Sequence, residues 1–407
     1  MNFLFKFLIA SALSVTVPLK VTKSVNQFGK DTRLVSASTS LSSVSVKNHR
    51  NLQYTADLYF GNPKQTMILT LDTDTPYTWV PSTKRTSHKS THSFDHTKSS
   101  TFKNSSTPVS FSTNMGYIKG YLVSDSVSPG SIIAENQQFI LVDYDTNFET
   151  MLSDGVLGLG FTLSDGISCF IDTLKAQNEI GKSVFSIYLS NYDNEYQGSI
   201  FTIGEFDASK YGNGHLSDID VYAYDGYWST IQDSFSVGSS VLSSENDFVY
   251  FGIAYSFITL PVDVYDKYVK IIENSHSGCI KDYGYLVCSC TFGNYKSFPD
   301  ITFSFNGENF VIHAENYIYY QYNYCYLMID SVQGYYYMIG EPFFREYYTV
   351  FDMDNKLIRV SPALRNGDYN YYSKIQQAGI AGVVFAMVGG LMLKLNRRGI
   401  ADYSRLD

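Results

Sequence analysis

Charged side chains are scarce in this 407-residue chain: only 17% of residues are Asp, Glu, Lys or Arg, and the net charge is −9 at pH 7. No dense Lys/Arg run occurs in the middle of the sequence, so the electrostatic footprint of a nucleic-acid binder is missing and nucleic acid is excluded as a partner. Sustained helical periodicity is also rare, the clearest stretches being 169–179 and 263–275, about three turns each. No Gly-x-Ser-x-Gly elbow is present, which removes the usual nucleophile placement of a Ser/His/Asp hydrolase. There are five cysteines, and the Cys288-Ser289-Cys290 stretch lacks the two-residue spacer and the accompanying His of common zinc sites. Neither a metal nor a cofactor is expected.

What the chain does contain favours strands. Tyr (35), Phe (28) and Gly (29) are abundant, with 44% hydrophobic residues to supply cores. From Tyr54 onward, alternating apolar and polar residues are punctuated by Gly-Asn-Pro, Asn-Gly and Ser-Pro-Gly turns, which predicts hairpins and an all-β body.

The two ends read differently from the body. Residues 1–14 form a short apolar run with one Lys and small residues, the pattern of a cleaved secretory signal peptide. Residues 15–50 are basic and Ser/Thr-rich without sustained periodicity and are expected to be a leader or pro-segment outside any core. Near the C-terminus, Ala378–Leu393 carries no charge and is followed by Lys394, Arg397 and Arg398. Although short of the usual span of about 20 residues, the run is extended by the long stem of Lys394. A single membrane helix over 378–395 is predicted, after a linker at 366–377 and with residues 396–407 as a cytoplasmic tail. The expected location is the secretory pathway, with a lumenal or extracellular body held at the plasma membrane or an endolysosomal or vacuolar membrane. Tyr403 to Leu406 resembles a tyrosine-based sorting signal, which would make a vesicle coat adaptor a partner.

Cysteines in such a compartment are expected to pair. Spacing leaves the connectivity open; the simplest expectation is adjacent pairing, Cys279 with Cys288 and Cys290 with Cys325, leaving Cys169 alone. Asn104 opens an Asn-Ser-Ser glycosylation triplet in what reads as a polar loop. His88, His92 and His96 recur at four-residue spacing, but in a Ser/Thr-rich stretch that reads as a surface loop rather than a metal-binding helix face.

The segment "LDTDTPYTWVPS", Leu71–Ser82, places Asp72 at the end of an apolar strand ahead of Trp79. With "SDGVLGLGF", "SVFSIYLS", "DGYWSTIQDSFSVG", "SFPDITFSFNG" and "MIGEPFFREYYTVFDMDNKLIRVSPA", it forms an ordered set of segments. Together these resemble the pepsin-like aspartic peptidases, from Tyr54 to about Ala363. The resemblance implies a bilobal β fold, with an N-terminal lobe over 51–224, a C-terminal lobe over 225–365 and a peptide-binding cleft between them. It also implies a chemistry in which two carboxylates, one per lobe, share a proton. Trp79 and Trp228 match framework tryptophans of the family and are expected in the core.

Asp72 matches the first carboxylate; the second is missing. Aligning back from "SFITLP" puts Gly252 where the second Asp belongs, Ile253 where a Thr braces the pair, and Ala254 where a Gly belongs, with Ser256 matching. Asp74 replaces the Gly of the first motif, and the flap offers Phe111 or Thr113 in place of its Tyr, with Tyr117 several residues late. Thr73, Asp74, Phe111, Thr113 and Ser256 are therefore expected to line or support the cleft. On an extended chain Asp74 would face the same side as Asp72 at about 7 Å, too far to share a proton. Asp247 and Asp263 would need a shift of several residues to reach the cleft.

These departures predict a membrane-anchored homologue without ordinary catalysis, whose cleft binds a peptide or protein. Two alternatives stay open. One is an active acid endopeptidase using Asp72 and an unidentified second acid; the other is a structural surface protein using the fold as a scaffold.

Overall fold

The computed structural model describes residues 42–364 apart from 49–52, 86–89, 114–115, 147, 149–150, 191–197, 224–225, 283–284 and 292. The expected signal peptide, most of the pro-segment, the 366–377 linker, the membrane helix at 378–395 and the Tyr403–Leu406 signal lie outside these residues. Among the described residues no helix is long and apolar enough to cross a membrane.

Strands dominate, as the alternation predicts. One 13-stranded sheet gathers the strands of the first half of the chain, and sheets of five, four and four strands gather most of the second. The two helical stretches form as short elements, Phe170–Ala176 and Val262–Ser275. The first stops three residues before its expected end. The second buries Val264, Tyr265, Tyr268, Val269 and Ile272 along one face, and Asp263 and Lys267 pair on its exposed side at 3.8 Å.

Two placements differ from the sequence reading. Ser42–Asn48, expected in a leader outside any core, is a strand paired antiparallel with both Ser199–Ile203 and Tyr54–Phe60. Its Ser-Val-Ser-Val alternation sends Val44 and Val46 inward, which is enough to hold it in the sheet. The closing hairpin, Tyr347–Asp352 and Leu357–Pro362, joins the large sheet through Val184–Tyr188 and carries Ser217–Asp220 on its outer edge. The last strands therefore complete the sheet begun by the first, across the lobe boundary expected at 224/225.

Two apolar runs broken by Gly, at 154–161 and 337–344, are the visible trace of a duplicated frame. Gln65–Asp72 pairs in parallel with Gly155–Gly158, setting Asp72 opposite Gly158; Phe248–Phe251 pairs in parallel with Tyr336–Ile339. After each strand the chain turns and enters a second strand, Trp79–Pro81 or Ile258–Pro261. Each of these meets the strand already paired in parallel from its other side, Trp79 opposite Val156 and Thr259 opposite Met338. The loop bonds repeat as well. The N–H of Gly160 donates to the Thr75 carbonyl at 2.9 Å, and that of Glu341 to the Tyr255 carbonyl at 2.8 Å. Glycine is required where these loops meet. A Cβ on Gly158 would strike the backbone of Pro76, and one on Gly340 the carbonyl oxygens of Tyr255 and Phe257.

Both tryptophans are buried as expected. The ring of Trp79 stands edge-on to Phe148 at 5.2 Å. Trp228 packs between Phe161 and Phe351, at 4.3 and 4.9 Å, and its Nε1–H donates to the Leu159 carbonyl at 2.9 Å, satisfying its one polar atom. The disulfides pair Cys279 with Cys288 and Cys290 with Cys325, and Cys169 is free and buried.

Candidate active site

Asp72 is the last residue of its strand, and there the extended chain ends in a turn over Thr73 and Asp74. The assumption that kept Asp74 about 7 Å from Asp72, continued extension, therefore does not hold. The turn points the Asp74 N–H back at Asp72, where it donates to Oδ1 at 2.8 Å. Burial pushes the Asp72 carboxyl up to about 6, and this backbone hydrogen bond partly offsets the rise by favouring the ionised form. For Asp74 burial and then the neighbouring Asp72 charge act in the same direction, holding its carboxyl well above the usual range. Both Asp74 oxygens are shielded from solvent and neither has a hydrogen-bond partner in the protein.

Across from this turn lies Gly252, its N–H bonded to the Ile339 carbonyl at 2.9 Å. A Cβ built on Gly252 would collide with Oδ2 of Asp74 and would stand 2.5 Å from Cδ2 of the Tyr255 ring. The space that a side chain at position 252 would use is already taken by the Asp74 carboxyl. The residue that sequence reasoning placed as a support thus sets its carboxyl against position 252. Its signal was present as a reciprocal exchange, Asp for Gly at 74 and Gly for Asp at 252.

Thr73 joins the two loops. Its Oγ1 donates to the Phe251 carbonyl at 2.6 Å and accepts from the Ile253 N–H at 3.1 Å. Ile253, fully apolar and buried, cannot return the hydroxyl contact that a Thr there would make. Ser256 is buried in the same second loop.

The flap is the hairpin of Lys103–Ser112 and Tyr117–Ser128, with Phe111 opposite Ile118 and Ser112 opposite Tyr117. The Phe111 ring lies 5.7 Å from that of Tyr77, whose hydroxyl donates to Asp165. Thr113 is committed to the turn, its N–H donating to the Gly116 carbonyl at 2.7 Å and its Oγ1 accepting from the Gly116 N–H at 3.1 Å. Phe111 is thus the flap residue set against the Asp72 loop, and Tyr117 is exposed.

Other singled-out residues lie elsewhere. Asp263 faces Lys267, and burial raises the Asp247 carboxyl, with Glu245 and Asp263 adding to the shift. His92 bonds Asp154 through both its backbone N–H, at 2.7 Å, and Nδ1, at 2.8 Å, which fastens its loop; the His96 ring packs at a tilt against Phe102 at 4.9 Å, and His88 is outside the described residues. Among the described residues no group of three His, Cys, Asp or Glu is placed to hold a metal ion. Asn104 is exposed, but it lies in an edge strand next to an irregularity at Asn104/Thr107 rather than in a loop. A buried acid that the sequence reading passed over is Glu341. Burial raises its carboxyl well above the usual range, and Arg345 at 3.6 Å partly offsets this.

A duplicated β frame that presents an Asp-Thr loop, with a hairpin packed beside it through Phe111 and Tyr77, is the architecture of the aspartic peptidase class. The chain belongs to the eukaryotic aspartyl protease family, whose description matches residues 53–363. It is 28% identical over 339 residues to pepsin A of Canis lupus familiaris, covering 80% of this chain and 84% of that protein. It is 29% identical over 380 residues to pepsin II-2/3 of Oryctolagus cuniculus, covering 89% and 92%. It is also 27% identical over 335 residues to a probable vacuolar protease A of Trichophyton verrucosum, covering 79% and 81%.

Proposed function

We propose that this protein is an acid-range endopeptidase of the secretory pathway that binds peptide beneath the Phe111 flap and uses Asp72 as the base that activates water. The observation that carries the reading is the state of Asp72. It stands at a strand end with residual access to solvent, its Oδ1 is held by one backbone N–H, and burial brings its carboxyl to about 6. A carboxylate poised between its charged and neutral forms near working pH is suited to proton transfer. The backbone frame that presents it is kept, and Thr73 still fastens the two loops. The two disulfides suit an oxidising compartment, and the 378–395 helix and Tyr403–Leu406 are proposed to anchor and sort the protein within it.

A specific observation favours a second reading. Gly252, Ile253 and Ala254 leave the first three positions of the second motif without a polar side chain, which suits a cleft that binds peptide or protein without cleaving it. Cleavage of a mixed-sequence peptide library by the full chain and by Asp72→Asn, between about pH 3 and pH 7, separates the two. Cleavage by the wild type alone supports the endopeptidase. Absence of cleavage by both overturns it and leaves the binding role.

A further inference from the structure

We infer that Asp74 is the second acid of this site, so that a proton-sharing carboxyl pair lies within a single loop, Asp72 and Asp74, with the opposite lobe contributing an empty position at Gly252. This inference rests on the endopeptidase reading for its chemistry but stands on its own geometry. Three observations meet at one place. The Asp74 N–H is bonded to Asp72 Oδ1 at 2.8 Å, fixing the two residues in one turn. The Asp74 carboxyl, shielded and without a partner in the protein, fills the space next to Gly252 that a side chain there would need. Gly252 is the one residue type that leaves this space free, because even a Cβ would collide with Oδ2 of Asp74. A side chain at 252 therefore displaces the Asp74 carboxyl or the Tyr255 ring from the positions they hold.

The roles follow from the surroundings. Asp72 accepts a backbone N–H, which favours its ionised form; Asp74 accepts none and faces the Asp72 charge, so it holds the proton. Two carboxyls whose charges act on each other in this way titrate as a pair rather than one by one. In the hydrolytic step, solvent water gives one proton to ionised Asp72 as its oxygen bonds to the scissile carbonyl carbon. The carbonyl π electrons move to the carbonyl oxygen, which takes the proton from Asp74, giving a neutral gem-diol. In the second half the amide nitrogen takes the proton from Asp72 and one gem-diol hydroxyl returns its proton to Asp74 as the C–N bond breaks. The products are a carboxylic acid and an amine, and the pair ends as it began.

The test uses the full chain as wild type, Asp72→Asn, Asp74→Asn, Gly252→Asp, and the double exchange Asp74→Gly with Gly252→Asp. Two readouts are taken on each: cleavage of the peptide library, and the infrared carbonyl band of protonated carboxylic acids at about pH 7.5, above the value near 6 of Asp72, so that Asp72 is ionised there. Asp72→Asn and Asp74→Asn are each expected to lower kcat/KM by about 100-fold or more. Asp74→Asn is expected to remove one protonated-carboxyl band at that pH. Gly252→Asp alone is expected to lose activity by crowding, and the double exchange to recover it to within about tenfold of wild type. Cleavage that is lost in Asp72→Asn but kept in Asp74→Asn overturns the inference while leaving the endopeptidase reading in place. If no form cleaves, that reading fails and the infrared band decides alone. A band lost in Asp74→Asn places a proton on Asp74, as the inference requires, and the absence of that loss overturns the inference.

Discussion

Thr73 Oγ1 lies 2.6 Å from the carbonyl oxygen of Phe251, 178 residues away in sequence, and donates a hydrogen bond to it; the same oxygen accepts the N–H of Ile253 at 3.1 Å. One hydroxyl thus satisfies a donor and an acceptor on the backbone of the opposite loop. All three groups are removed from water, so deleting the hydroxyl leaves two of them without a partner. Thr73→Val, which keeps the shape, is expected to cost about 2–3 kcal/mol of stability. Urea unfolding of wild type and variant measures this, and an unchanged midpoint would show that the loops are held together by packing alone.

Asp72 makes stability depend on pH in a defined direction. Its folded carboxyl is raised to about 6, above the ordinary value of 3.8, so the folded state binds this proton more tightly than the unfolded chain. Below the ordinary value both states are protonated and Asp72 has no net effect. As pH rises from about 4 to about 6, ionisation disfavours the fold by an amount approaching about 3 kcal/mol, and residual solvent access reduces it. Asp72→Asn is expected to lose that dependence and to melt above the wild type at neutral pH. A melting temperature that falls equally with pH in both proteins would contradict this.

The disulfides differ in how much chain they close. Cys290–Cys325 spans 35 residues and Cys279–Cys288 spans 9. Restriction of the unfolded chain predicts losses of about 4 and about 3 kcal/mol when each is replaced by paired serines. Chemical denaturation of the two double variants is expected to show the larger drop for Cys290→Ser with Cys325→Ser, and the reverse order would locate the stabilisation in native contacts instead.

Much of the frame was legible because β alternation and Gly-broken runs are local signals. The burial of Trp79 and Trp228 follows the family resemblance, and the adjacent disulfide pairing, which spacing left open, is the one the structure shows. The Ser42–Asn48 strand was not read, since two valines among serines are a weak signal until partners on both sides fix the register. Asp74 was seen but misplaced. Its distance from Asp72 was taken from an extended chain, whereas the strand ends at Asp72 and the turn redirects everything after it. The exchange of Asp and Gly between positions 74 and 252 became meaningful only when the two loops stood face to face, because steric exclusion between residues 178 apart has no local trace.

The backbone beneath the second loop is held by its own amides, Gly252 to Ile339 and Glu341 to Tyr255, with no contribution from a side chain at position 252. That independence has an evolutionary consequence. A lineage can pass through changes at the reacting groups without passing through an unfolded intermediate, so its chemistry is free to drift, migrate or vanish while its outline stays fixed. Kinship inferred from the outline then dates the scaffold and says little about when, or whether, the reaction changed.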